Sequence, residues 1–152
     1  MKKLSLLVVI GTLASSMWAS SVQAQFAKPE DAVKYRQSAL QLIASHFGLM
    51  QPVIKGQAPY DAAAIKANVE LLKTLSSLPW AGFVEGSQAG TSAKPEIWSD
   101  AAGFKAAQVK FEGAVDKLSV AANSGDLDRV RAAFGDVGAS CKACHDSYRV
   151  KK

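Results

Sequence analysis

Residues 126–148 read DLDRVRAAFGDVGASCKACHDSY. Leu127, Val130, Phe134, Val137, Cys141, Cys144 and Tyr148 recur at alternating steps of three and four, which places them on one stripe of an α-helix. Asp126 stands where an N-cap accepts the first free backbone N–H groups. The same alternation runs through Val33, Arg36, Leu40, Ile43, Phe47, Met50 and Ile54, a second helical seam with one charged member. Pro29 suits the first turn of that helix, Glu30 and Asp31 complement its positive end, and Pro52 followed by Gly56 predicts that it stops nearby. Asp61 caps a helix in which Ile65, Val69, Leu72 and Leu75 face inward, stopped by Pro79. Ser99 or Asp100 caps another, with Phe104, Phe111, Val115 and Leu118 on one face and an end at Asn123 to Gly125. From Trp80 to Glu96 the pattern is irregular, with Gly82, Gly86, Gly90 and Pro95 separating Trp80, Phe83 and Trp98. No run alternates with period two. Four helices, two short connections and one long one predict an all-α, antiparallel up-down-up-down four-helix bundle.

The composition agrees with one ordinary domain: 152 residues, 49% hydrophobic and 20% charged. So much apolar surface excludes intrinsic disorder, and two cysteines exclude a disulfide-dense scaffold. The formal charge of +5 comes from 18 Lys+Arg and 13 Asp+Glu, but part of it belongs to the start of the chain. Lys2 and Lys3, the apolar run from Leu4 to Ala14, and Val22-Gln23-Ala24 make residues 1–24 an export signal cleaved after Ala24. The run is too short for the roughly 20 residues of a membrane span, and Ser15, Ser16, Ser20 and Ser21 make the stretch beyond it more polar. Cleavage leaves residues 25–152 as the mature domain with no membrane anchor, and losing two lysines lowers the charge from +5 to +3. The remaining lysines are scattered, so no stripe tracks a nucleic-acid backbone.

The chemistry is concentrated in Cys141-Lys142-Ala143-Cys144-His145. A structural disulfide here closes a tiny loop and removes little chain entropy. A thioredoxin-like redox pair usually sits where a strand meets a helix, and no strand precedes this one. Zinc wants four ligands, and the only other histidine is His46. Each of these leaves His145 unexplained. Attachment of one haem c uses the whole motif: residues three and four apart share a helix face, so both sulfurs reach one porphyrin while His145 supplies the iron's nitrogen ligand. Such attachment takes place outside the cytoplasm, in keeping with the export signal.

The export signal, the four-helix pattern and this motif near the C-terminus together make the mature chain resemble cytochrome c prime, the class II cytochromes c of bacterial periplasms. The run Gly138-Ala-Ser-Cys-Lys-Ala-Cys-His-Asp-Ser-Tyr-Arg149 is similar to the family's usual wording, and class I cytochromes c carry the motif near their N-terminus instead. The resemblance implies a periplasmic protein with a five-coordinate, largely high-spin haem that binds NO and CO, often as an antiparallel homodimer.

In an antiparallel bundle the C-terminal end of the last helix lies level with the start of the first, so His145 should face the region from Arg36 to Leu40. Met50 lies about 15 Å and His46 about 9 Å along the helix from Leu40, too far to ligate the iron. They read as a core filler and a flanking residue. Leu40 is then the distal wall, the position the family fills with an apolar residue, and it offers a bound gas no hydrogen bond. Trp80 and Phe83 either extend that wall or simply pack under the loop. Arg36, with Gln37 beside it, reads as a donor to a haem propionate, the role the resemblance gives to this Arg-Gln pair. A snorkelling arginine is the plain alternative. Arg149, four residues after His145, reads as lying on the same face and flanking the iron's proximal side, or as a cation at the helix C-terminus. Tyr35, Leu42 and Leu49 form an outer stripe expected to pair two copies in a homodimer. Two functions remain: a gas-binding haem protein, or a carrier of electrons between periplasmic donors and acceptors. A carrier is helped by two strong axial ligands, whereas a gas binder needs a free position, and the missing second ligand favours the latter. No acid–base residue is placed to cleave a peroxide bond, so an enzyme is not expected.

Overall fold

In a computed structural model, residues 25–151 are described. The export signal expected over residues 1–24 lies outside them. Four long helices carry the fold: α1 (Pro29–Ile54), α2 (Ala62–Ser76), α4 (Ala101–Ser124) and α5 (Leu127–Tyr148), with a one-turn helix α3 (Glu96–Ser99) leading into α4. Their ends follow local chemistry. Asp61 accepts from the N–H groups of Ala63 and Ala64, Asp100 from Gly103, and Asp126 from Asp128 and Arg129, each satisfying donors that the helix itself leaves free. Pro52 sits inside the last turn of α1, which stops two residues later. Gly125, at φ 73°, turns the chain left-handed out of α4, a conformation that a residue with a Cβ rarely takes.

The chain forms the expected four-helix bundle, with no named strand among the described residues. The core gathers Ile43 and Met50 of α1, Ile65, Val69 and Leu72 of α2, Phe111, Val115 and Leu118 of α4, and Val130 and Val137 of α5. Each fully buried aliphatic side chain contributes roughly 1.5–3 kcal/mol against its ordering entropy. Among the described residues, no helix is long and apolar enough to cross a membrane.

The connection after α2 is more ordered than its composition predicts. It opens with a 3-10 turn, Pro79–Gly82. That turn approaches α1 so closely that a Cβ at Gly82 would lie 2.6 Å from the Ala32 carbonyl oxygen, so only glycine fits. Further on, the Trp98 indole N–H donates to the carbonyls of Phe83 and Val84, and Ala93 pairs antiparallel with Arg149 beyond the end of α5.

Candidate functional site

Helices α1 and α5 meet at a stacked aromatic pair, Phe47 and Phe134, with ring centroids 3.9 Å apart and planes 3° from parallel. A hydrogen bond from Arg131 Nε to the Ile54 carbonyl lies below it. The two helices are therefore antiparallel, and counting away from the stack fixes their register. Seven residues along each, about 10 Å, bring Leu40 level with Cys141. About one turn further, Arg36 and Gln37 lie level with Cys144 and His145. Leu40 is 36% exposed, while its seam neighbours Ile43 and Met50 are 6% and 1% exposed, so the groove between α1 and α5 opens at the level of the cysteines.

Cys141 and Cys144 are half-buried free thiols. Burial, with Cys144 beside it, pushes the Cys141 thiol up, and burial does the same to Cys144. A reactive redox pair has the opposite tendency. His145 follows on the same face, its imidazole held below the ordinary histidine value by burial and then by Arg149, with Asp146 opposing. A neutral imidazole is the form that ligates a metal. Among the described residues, no group of three or more His, Cys, Asp or Glu is placed to hold a metal ion by itself. Two thiols and an imidazole on one helix face, opposite an accessible leucine, fit a covalently held haem.

Met50 is in the core. His46 is engaged across α1 and α2: its Nδ1 lies 2.7 Å from Asn68 Oδ1, while Asn68 Nδ2 donates to the His46 carbonyl at 2.6 Å. Since the amide nitrogen is the donor in the second bond, Nδ1 is the donor in the first. Trp80 packs against Phe83, Phe104 and Phe111 and donates its indole N–H to the Ser76 carbonyl, which is packing under the loop.

Arg36 is 2% exposed, and the loop takes up its terminal nitrogens. Nη1 donates to the Gly82 carbonyl at 2.7 Å and Ser87 Oγ at 2.6 Å, Nη2 donates to the Ser87 carbonyl at 2.6 Å, and the guanidinium lies over the Phe83 ring at 4.7 Å. Arg36 thus anchors the loop, with no snorkelling into water. Gln37, next to it, is exposed.

The helical placement read for Arg149 needs correcting. Arg149 lies just past α5 in extended backbone, φ −124° and ψ 132°, because its peptide pairs with Ala93. It still flanks His145: both line a surface cleft of about 320 Å³ with Asp146, Val150 and Lys151. Asp146, passed over in the sequence, bridges Lys142 and Lys151, and the Lys142 ammonium holds its carboxyl below the usual range. The Lys142–Asp146 spacing of four was the available signal.

Tyr148 is buried, and its hydroxyl donates to Asp100 Oδ2 at 2.9 Å. Burial first, then this bond, raises its phenol above the ordinary tyrosine value. A raised folded-state pKa gives stability that is complete below the unfolded value of about 10 and lost as pH climbs through the folded one. Urea unfolding from pH 8 to 11 should therefore show a steeper loss of stability above pH 10 in the native chain than in Tyr148→Phe. Parallel curves would contradict this.

A helical bundle with a Cys-x-x-Cys-His motif on its last helix defines a c-type cytochrome of the four-helix class. The family model for cytochrome c' matches residues 31–149. Cytochrome c' of Alcaligenes xylosoxydans xylosoxydans is 73% identical over 128 residues, covering 84% of this chain and 100% of that one. Cytochrome c' of Rubrivivax gelatinosus is 51% identical over 129 residues, with 84% and 100% covered. Among solved structures, the nitric oxide complex of a leucine-to-alanine variant of cytochrome c prime from Alcaligenes xylosoxidans superposes with a TM-score of 0.82 at 72% identity, covering 84% of this chain and 100% of that one. This chain belongs to the cytochrome c' family and is a c-type haem protein.

Proposed function

We propose that this is a periplasmic gas-binding protein, exported by residues 1–24, that holds one haem c through thioether bonds at Cys141 and Cys144, with His145 as the iron's protein ligand. When bound, the haem supplies an iron with a sixth position for NO or CO and the capacity for one-electron transfer. The observation that carries the reading is the register across the groove: Leu40 stands level with Cys141, while Met50 and His46 are engaged elsewhere. A leucine cannot ligate iron, and it crowds the distal side without offering a donor. NO and CO need no such donor, and the similar protein solved as a nitric oxide complex supports the gas assignment. Arg149 and the cleft beside His145 set the charge on the proximal side. Arg36 serves a propionate only through donors that the loop leaves free, and Gln37 is the more accessible partner. Two ionised propionates would bring the mature charge from +3 to about +1. The protein acts as a binder and not as an enzyme.

Attachment is tested by substitution. Cys141→Ser or Cys144→Ser should leave the haem held by one thioether, and the double variant should release it into acidified organic solvent. Complete extraction from the unaltered holoprotein would contradict covalent attachment.

The outer stripe supports a homodimer. Leu42 and Leu49 of α1 and Leu71 of α2 are 48%, 67% and 52% exposed, whereas Tyr35 is partly covered by Phe26, 5.1 Å away. Light scattering at micromolar concentration should give twice the chain mass, and Leu49→Lys should halve it. A monomeric unaltered chain would remove the dimer.

A further inference from the structure

A helix leaves its last four carbonyls without partners of its own. At the end of α5 the His145 carbonyl accepts from the Arg149 N–H at 3.1 Å. The other three are all served by one residue of the long loop. Lys94 Nζ donates to the Asp146 carbonyl at 2.9 Å and the Ser147 carbonyl at 3.2 Å, and the Lys94 backbone N–H donates to the Tyr148 carbonyl at 3.0 Å. The bond from Val150 N–H to the Ser92 carbonyl, at 2.8 Å, closes the same patch. An ammonium is thereby fixed on the negative end of the α5 dipole, one residue beyond the expected iron ligand.

We propose that Lys94 is a positioning residue for the haem-bearing helix: it caps the end of α5 from another part of the chain, holds the turn that presents His145 and Arg149, and supplies the positive charge that offsets the helix end beside the iron. The proposal rests on haem attachment at the Cys141–His145 motif. It assigns the loop a task in tuning the iron that packing alone does not explain. Removing the ammonium leaves the negative helix end uncompensated, which favours Fe(III) over Fe(II). Arginine keeps the charge and the donors, whereas methionine keeps the length and neither of the others.

The test compares Lys94→Met, Lys94→Arg and the unaltered holoprotein by redox titration. Lys94→Met should raise the Fe(III)/Fe(II) ratio at a fixed ambient potential about threefold, the order expected for one charge removed from a partly hydrated site, and Lys94→Arg should restore it. Amide exchange at Arg149 and Val150 should quicken in Lys94→Met alone, a readout that needs no haem. An unchanged ratio in Lys94→Met, or an equal shift in Lys94→Arg, overturns the proposal. So does faster exchange without a change in the ratio, which makes Lys94 a cap and nothing more. Absence of covalent haem from the unaltered protein is a different failure, that of the attachment itself, and in that case the exchange readout still decides whether Lys94 holds the turn.

Discussion

Arg36→Met is expected to cost about 3 kcal/mol of folding stability, read as a lower urea midpoint with an unchanged denaturant slope. Methionine fills much of the same volume, so the loss comes from polar groups. The carbonyls of Gly82 and Ser87 would each lose a charged donor now at 2.7 and 2.6 Å. A buried carbonyl left unpaired costs about 1–3 kcal/mol. Ser87 Oγ loses a donor as well but keeps its own bond to the Val84 carbonyl. Lysine should rescue little, because one ammonium cannot reproduce a planar fork that binds two carbonyls and a hydroxyl at once. A destabilisation below about 1 kcal/mol, the low end of that range, would mean that the loop does not depend on Arg36.

Leu40→Ala is the second large effect, and it falls on function. Removing the isobutyl group relieves crowding on the distal side, so CO affinity of the reduced protein should rise at least about tenfold, equivalent to about 1.4 kcal/mol. Stability should suffer less than the roughly 2–5 kcal/mol of a fully buried Leu→Ala change, because Leu40 is already 36% exposed. CO titration followed optically measures the affinity. An affinity equal to that of the unaltered protein would show that Leu40 does not wall the binding position.

These two residues also show what a reader of the sequence can and cannot see. The placement of Leu40 was legible because it depends on register: an antiparallel bundle fixes which level of α1 faces the end of α5, and the Phe47–Phe134 stack fixes Leu40 at the level of Cys141. Cys141, Cys144 and His145 were legible because their motif is continuous on one helix. Arg36 stood out as a charged member of an apolar seam, but its partners lie 46 and 51 residues away in an irregular loop, and no periodicity reports which carbonyls such a loop turns inward. Lys94 was invisible for the same reason, since its acceptors are helix-end carbonyls whose own sequence says nothing of who caps them. Arg149 was misplaced by extending the α5 period one residue too far, past the point where pairing with Ala93 pulls the backbone straight. The loop's 3-10 turn and α3 span only four residues each, too short for any period to register.

We propose a covalently held haem with one protein ligand, His145, and an open sixth position walled by Leu40. Optical and EPR spectra of the purified ferric holoprotein test it most directly. The expected result is a predominantly high-spin, five-coordinate iron that takes up NO on reduction. A low-spin, six-coordinate resting state with a methionine-sulfur band or a second histidine ligand would contradict it.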